Sequence, residues 1–185
     1  MPIEPSSHHS RRDTLRLGAA AGLAAAAGAG LASVATAQTP VAESSVSWTK
    51  QTVSLAAAER MLAAAQARAT ELGAAVAIAI VDEGGQLKAF HRMDGLASAV
   101  PIDLSQMKAY TAASFRTPTQ MLAESNLDNP ARMASIPNVP RVTLMAGGYP
   151  ITEGEVLIGG IGVSGSSPEN DVAIAEAGVA ALQEA

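Results

Sequence analysis

Cysteine is absent from all 185 residues of the chain. That excludes disulfides, a thiolate nucleophile and any cysteine-bound metal, so packing alone must hold the folded part together. Histidine is scarce: His8, His9 and His91 are the whole set. Two of them lie in a segment that reads as removable, which excludes a multi-histidine metal centre within one chain. Beyond residue 37 no lysine or arginine cluster occurs, which argues against nucleic acid and against an anionic membrane surface as partners. A nucleophile elbow, a Ser–His–Asp set and a carboxylate pair at helical spacing are also missing. Residue chemistry alone therefore supplies no catalytic apparatus.

What is present begins with an export address. Ser10-Arg11-Arg12-Asp13-Thr14-Leu15-Arg16 carries the paired arginines of a twin-arginine signal, with Thr14 where a large apolar residue is usual. A run of mostly Ala and Gly from Leu17 to Val34 leads to Ala35-Thr36-Ala37, a small-x-small cleavage site before Gln38. Ala and Gly give little membrane affinity, so residues 1–37 are expected to be a cleaved signal that leaves no stable anchor. The expected location is periplasmic or extracellular. The mature chain, 38–185, has 148 residues with nine basic and fifteen acidic side chains, a net charge of −6. Residues 38–51 read as a linker with Trp48 docking onto the domain, and 52–185 as one domain.

Hydrophobic spacing predicts the elements. Leu55, Ala58, Leu62, Ala65, Ala69 and Leu72 recur at steps of three and four, between an N-cap at Ser54 and a stop at Gly73. Ala74 to Val81 is continuously apolar and suits a strand covered on both faces. After the turn Glu83-Gly84-Gly85-Gln86, residues 87–93 alternate as the second arm of a hairpin, with His91 on the face of Leu87, Ala89 and Met93. A helix from about Asp103 carries Leu104, Lys108, Thr111 and Phe115 on one stripe, and Thr117-Pro118-Thr119-Gln120 reads as a capping box for a short third helix. Residues 126–140 read as a long loop. Three strands follow, at Val142–Ala146, Tyr149–Thr152 and Glu155–Val163, before a helix with Val172, Ala175, Val179 and Leu182 inward. The order α-β-β-α-α-β-β-β-α implies an α+β layered domain.

Gly160-Ile161-Gly162-Val163-Ser164-Gly165 spells a dinucleotide fingerprint, but no strand follows the helix and no acidic ribose ligand has room to follow. No nucleotide is expected, and the glycines read as sites of close backbone approach. Lys108 and Thr111 are polar on a stripe that should pack inward, so each needs a partner, a ligand or a neighbouring subunit. His91 reads either as a hydrogen-bonded residue at a strand end or as a ligand or acid–base group, with Arg92 and Asp94 beside it.

Three of these stretches resemble the GlcG/HbpS haem-binding family: Val81-Asp82-Glu83-Gly84-Gly85-Gln86-Leu87 running into Arg92-Met93-Asp94-Gly95, Lys108-Ala109-Tyr110-Thr111-Ala112-Ala113-Ser114-Phe115, and Gly154 to Gly165. The resemblance spans about residues 52–185. It implies a five-stranded antiparallel sheet flanked by helices, profilin-like or GlcG-like, and assembly into homo-oligomers. It also implies haem or tetrapyrrole binding, with a threonine at the iron, which here is Thr111. His91 departs from the small or apolar residue usual before Arg-Met-Asp-Gly. The expected ligand set is thus His91 or Thr111 at a haem iron, with Arg92 and Lys108 for the propionates. The alternatives are an enzyme or accessory protein for a small hydroxy- or oxo-acid, using His91, Arg92, Asp94 and Lys108, and an oligomeric accessory protein without a small ligand.

Overall fold

The computed structural model describes residues 46–182. The export signal at 1–37 and the linker up to residue 45 lie outside the described residues. Helix α1 (Leu55–Glu71) starts where expected, because Ser54 Oγ accepts the Ala57 N–H, and Gly73 at φ +63° turns the chain away. Ala58, Met61, Leu62, Ala65 and Ala69 are its buried stripe. Strands β1 (Ala77–Asp82) and β2 (Leu87–Arg92) form the hairpin. Its turn is held by Asp82, whose Oδ1 accepts the N–H groups of Gly84 and Gln86.

Helix α2 (Val100–Phe115) begins three residues before Asp103, with Pro101 in its first turn. Helix α3 (Thr119–Glu124) is present, but the capping box is not. Thr117 Oγ1 donates to the Phe115 carbonyl instead of capping the helix. The segment read as a loop contains a short helix, α4 (Pro130–Ser135), capped by Asn129, and a 3-10 turn (Ile136–Asn138). Strands β3 (Gly148–Glu153) and β4 (Val156–Ser164) and helix α5 (Pro168–Ala180) complete the chain.

The sheet has four strands, not five, in the order β2-β1-β4-β3 with every pair antiparallel. Val142–Ala146 is the strand that does not form. Its backbone is engaged by side chains: the Thr143 N–H donates to Thr111 Oγ1 and the Met145 N–H to Thr143 Oγ1. The alternation there reflects Val142 packing inward beside α2 rather than pairing in a ladder.

Three layers result. Ile78, Ile80, Ile161 and Val163 point from the sheet to α1 and α5, where Met61, Leu62 and Ile174 meet them in the main core. Each such side chain, fully buried, contributes about 1.5–3 kcal/mol. The other face carries Ala79 and Val81, packed on Ala109 and Ala113 of α2. There Gly148, Gly160 and Gly162 form a floor without side chains, on which the α2 backbone rests directly. A Cβ at these positions would strike the carbonyls of Lys108, Ala109 and Ser105 respectively. The buried face of α5 is Asp171, Ile174, Ala175 and Gly178, one residue off the predicted stripe, because Gly178 lets α5 close on α1 and Ile161. Trp48 is 76% exposed and does not dock.

Candidate functional site

His91 lies on β2, the edge of the sheet, opposite Ile78 of β1. Strand alternation turns it to the α1 face, where its Nδ1 meets Gln66 Oε1 at 2.9 Å. An amide oxygen only accepts, so Nδ1 carries the hydrogen, and in the neutral ring the lone pair is then on Nε2. Gln66, Phe90, His91, Arg92, Met93 and Asp94 line a cleft of about 470 Å³ along this edge. Arg92 and Asp94 are exposed and Met93 is half-buried. A polarised imidazole, a guanidinium without a partner among the described residues and an apolar thioether are thus offered together at one edge.

Lys108 and Thr111 are elsewhere. They belong to α2, on the opposite face of the sheet from His91, and both are buried. The Lys108 ammonium donates to the Val163 carbonyl at 2.7 Å and to Asp171 Oδ2 at 2.8 Å. Asp171 Oδ1 in turn accepts the Ser166 N–H. Burial pushes the Lys108 ammonium below its usual range and the Asp171 carboxyl above its own, while their pairing pulls each back. The structure therefore answers the question of Lys108 with an internal partner. The Thr111 hydroxyl is also committed, donating to the Met107 carbonyl and accepting from the Thr143 N–H at 3.0 Å. His91, Arg92 and Asp94 share the β2 cleft, and Lys108, the fourth residue expected for a small acid, is not among them.

Gln66 and Asp171 are the partners that sequence reasoning missed. Gln66 sits on the half-polar flank of α1, 25 residues from His91, with no local signal. Asp171 looked like an ordinary acid in the first turn of a helix, though its position i+4 from the cap Ser167 places it on the inner face. A second cluster went unread: the Arg141 guanidinium stacks 4.2 Å from the centre of the Tyr110 ring and donates to the Gly85 carbonyl. Arg141 has φ +67°, and Gly85 is where the ring leaves no room for a Cβ. Among the described residues, no group of three or more His, Asp or Glu could hold a metal ion, and no helix is long and apolar enough to cross a membrane.

Residues 53–180 match the family described as HbpS-like, haem-degrading proteins. The chain belongs to the HbpS-like family. Among its relatives, an uncharacterized 15.0 kDa protein of Citrobacter freundii is 34% identical over 68% of this chain and 88% of its own length. GlcG of Escherichia coli is 37% identical over 63% of this chain and 84% of its own. The corrinoid adenosyltransferase PduO of Citrobacter freundii is 36% identical, but the match covers only 36% of that longer protein. Solved HbpS-like structures superpose closely. The ORFY protein of Klebsiella pneumoniae gives a TM-score of 0.71 at 31% identity, covering 76% of this chain and 97% of that one. A PduOC structure solved as a haem complex gives 0.65 at 32%, covering 70% and 94%. The α+β architecture, with an antiparallel sheet flanked by helices, is shared with these HbpS-like neighbours.

Proposed function

We propose that this protein is an exported haem- or tetrapyrrole-binding protein of the HbpS type, a binder first and at most weakly active. The observation that carries the reading is the His91–Gln66 pair: it leaves Nε2 as an imidazole donor at an open edge beside a guanidinium, neither with a partner among the described residues. The residues present fit the group. His91 would take the iron, Arg92 a propionate, and Met93 would supply apolar contact. Haem held there supplies a redox-active, ligand-binding iron. Lys108 and Thr111, both enclosed and bonded, are left out of this set. Membership of the family and the PduOC relative solved with haem support the choice of ligand.

The cleft is open along the strand, so one chain covers a macrocycle on one side only. A second subunit would supply the other cover, and we take the working form to be a homo-oligomer. Exposed Met121, Leu127 and Met145, and the β2 and β3 edges, which are unpaired among the described residues, support that assembly. A haem titration of the purified protein should give a saturable Soret change that His91→Ala removes and Thr111→Ala leaves in place. No saturable change would end the haem reading; loss on Thr111→Ala alone would move the iron to the α2 face.

A further inference from the structure

We propose that His91 and Met93 form a site for copper(I), separate in its chemistry from haem binding although it uses the same imidazole. The backbone sets the arrangement. His91 is in register with Ile78, and the Met93 N–H donates to the Val76 carbonyl at 3.0 Å, so the ladder holds both residues in extended geometry. Residues two apart on a strand share a face, which turns the imidazole and the thioether to the same side. Both line the same cleft, and the Asp94 carboxylate lines it too, with no partner among the described residues.

The donor set selects the metal. A thioether is a soft ligand that binds copper(I) and adds little for zinc, magnesium or calcium, while a neutral imidazole suits copper in either state. Copper(I) is content with two or three donors, so the lack of a larger carboxylate–histidine cluster among the described residues does not count against it. Gln66 supplies the outer contact that a metal-bound histidine needs, since its oxygen fixes the Nδ1–H tautomer and directs Nε2 outward. Arg92 alternates to the other face but reaches the rim of the cleft, and the Asp94 carboxylate offsets its charge. Met93 is half-buried and packs against the main core, so its side chain is partly held while remaining accessible from the cleft.

The test uses the full-length chain carrying His8→Ala and His9→Ala, so that His91 is the one imidazole left. Copper(I), kept reduced with ascorbate, is delivered against the chromophoric chelator bicinchoninate, with no haem present. One copper per chain should leave the chelator, Met93→Leu should weaken binding at least tenfold, and His91→Gln should abolish it. Met93→Leu keeps the side-chain volume, and X-ray absorption on the unsubstituted site should show sulfur and imidazole nitrogen in the copper shell. Retention of all copper by the chelator, a copper shell without sulfur, or either variant binding like its parent would overturn the proposal. Copper failing while the Soret change persists removes this inference alone; the Soret change failing while copper binds removes only the haem reading.

Discussion

Lys108 shows how much one side chain can commit. The residue is 1% exposed, and its ammonium would be intolerable alone at that depth, yet the Val163 carbonyl and the Asp171 carboxylate satisfy it. The pair ties α2 to the end of β4 and the start of α5, joining the two helical layers around the sheet. Its net worth is modest, because desolvation consumes most of the attraction, but breaking it leaves a charge stranded. Lys108→Met should cost about 3–5 kcal/mol in urea unfolding, since Asp171 would be left buried and unpaired. Adding Asp171→Asn should restore most of that loss, because an amide oxygen still accepts the Ser166 N–H and carries no charge. A double variant as unstable as the single one would show that the ion pair itself is required. The sequence made Lys108 conspicuous on an apolar stripe. Its partner, 63 residues away, was hidden in a helix turn where acids are ordinary.

At the scale of elements, the close approach of α2 to the sheet is set by glycine. Gly148 and Gly162 face each other across β3 and β4, and Gly160 extends the same floor. Ser105, Ala109 and Ala113 on α2 are small for the same reason, and together they make this face thin and backbone-rich. Gly162→Ala would drive a methyl into the Ser105 carbonyl and the Ala109 N–H, neither of which can move without displacing the helix. A loss of about 3 kcal/mol or more in thermal or urea unfolding is expected, at the upper end of overpacking effects. Gly154→Ala, in open space at a hairpin turn with φ +59°, should cost only its backbone strain of about 1 kcal/mol. Equal losses at the two sites would refute the floor. The G-x-G-x-x-G string thus has a packing explanation, while the alternation at Val142–Ala146 misled because two threonine hydroxyls do the work of a ladder.

For the whole molecule, the decisive fact is that the sheet separates the polar residues that sequence reasoning had grouped. His91 faces α1 while Lys108 and Thr111 sit on α2, so the polar residues are presented at the open β2 edge and inside the fold rather than in a single convergent pocket. An open edge is a surface for completion by another subunit, and the proposed export would place that assembly outside the cytoplasm. Protein recovered from the cell envelope should begin at Gln38 and scatter light as a homo-oligomer larger than a dimer. Arg11→Lys/Arg12→Lys should keep it inside the cell with residues 1–37 attached. Export unchanged by that pair, or a monomer at micromolar concentration, would remove the corresponding half of the proposal.

Local chemistry was legible in the sequence. Ser54 and Ser167 cap their helices, the Gly84-Gly85 turn makes its hairpin, and the run through Val81 is a strand buried on both faces. Each of these depends on bonds or periods spanning a few residues, which a linear reading can see. Only the tertiary structure decided the rest: that Lys108 finds Asp171, that Gln66 fixes the tautomer of His91, and that Thr143 takes Thr111 in place of a strand partner. These pairings join residues 63, 25 and 32 positions apart. Nothing in the chemistry of one partner specifies the other at such distances, because many acceptors along the chain would satisfy the same donor. Packing of the layers chose among them.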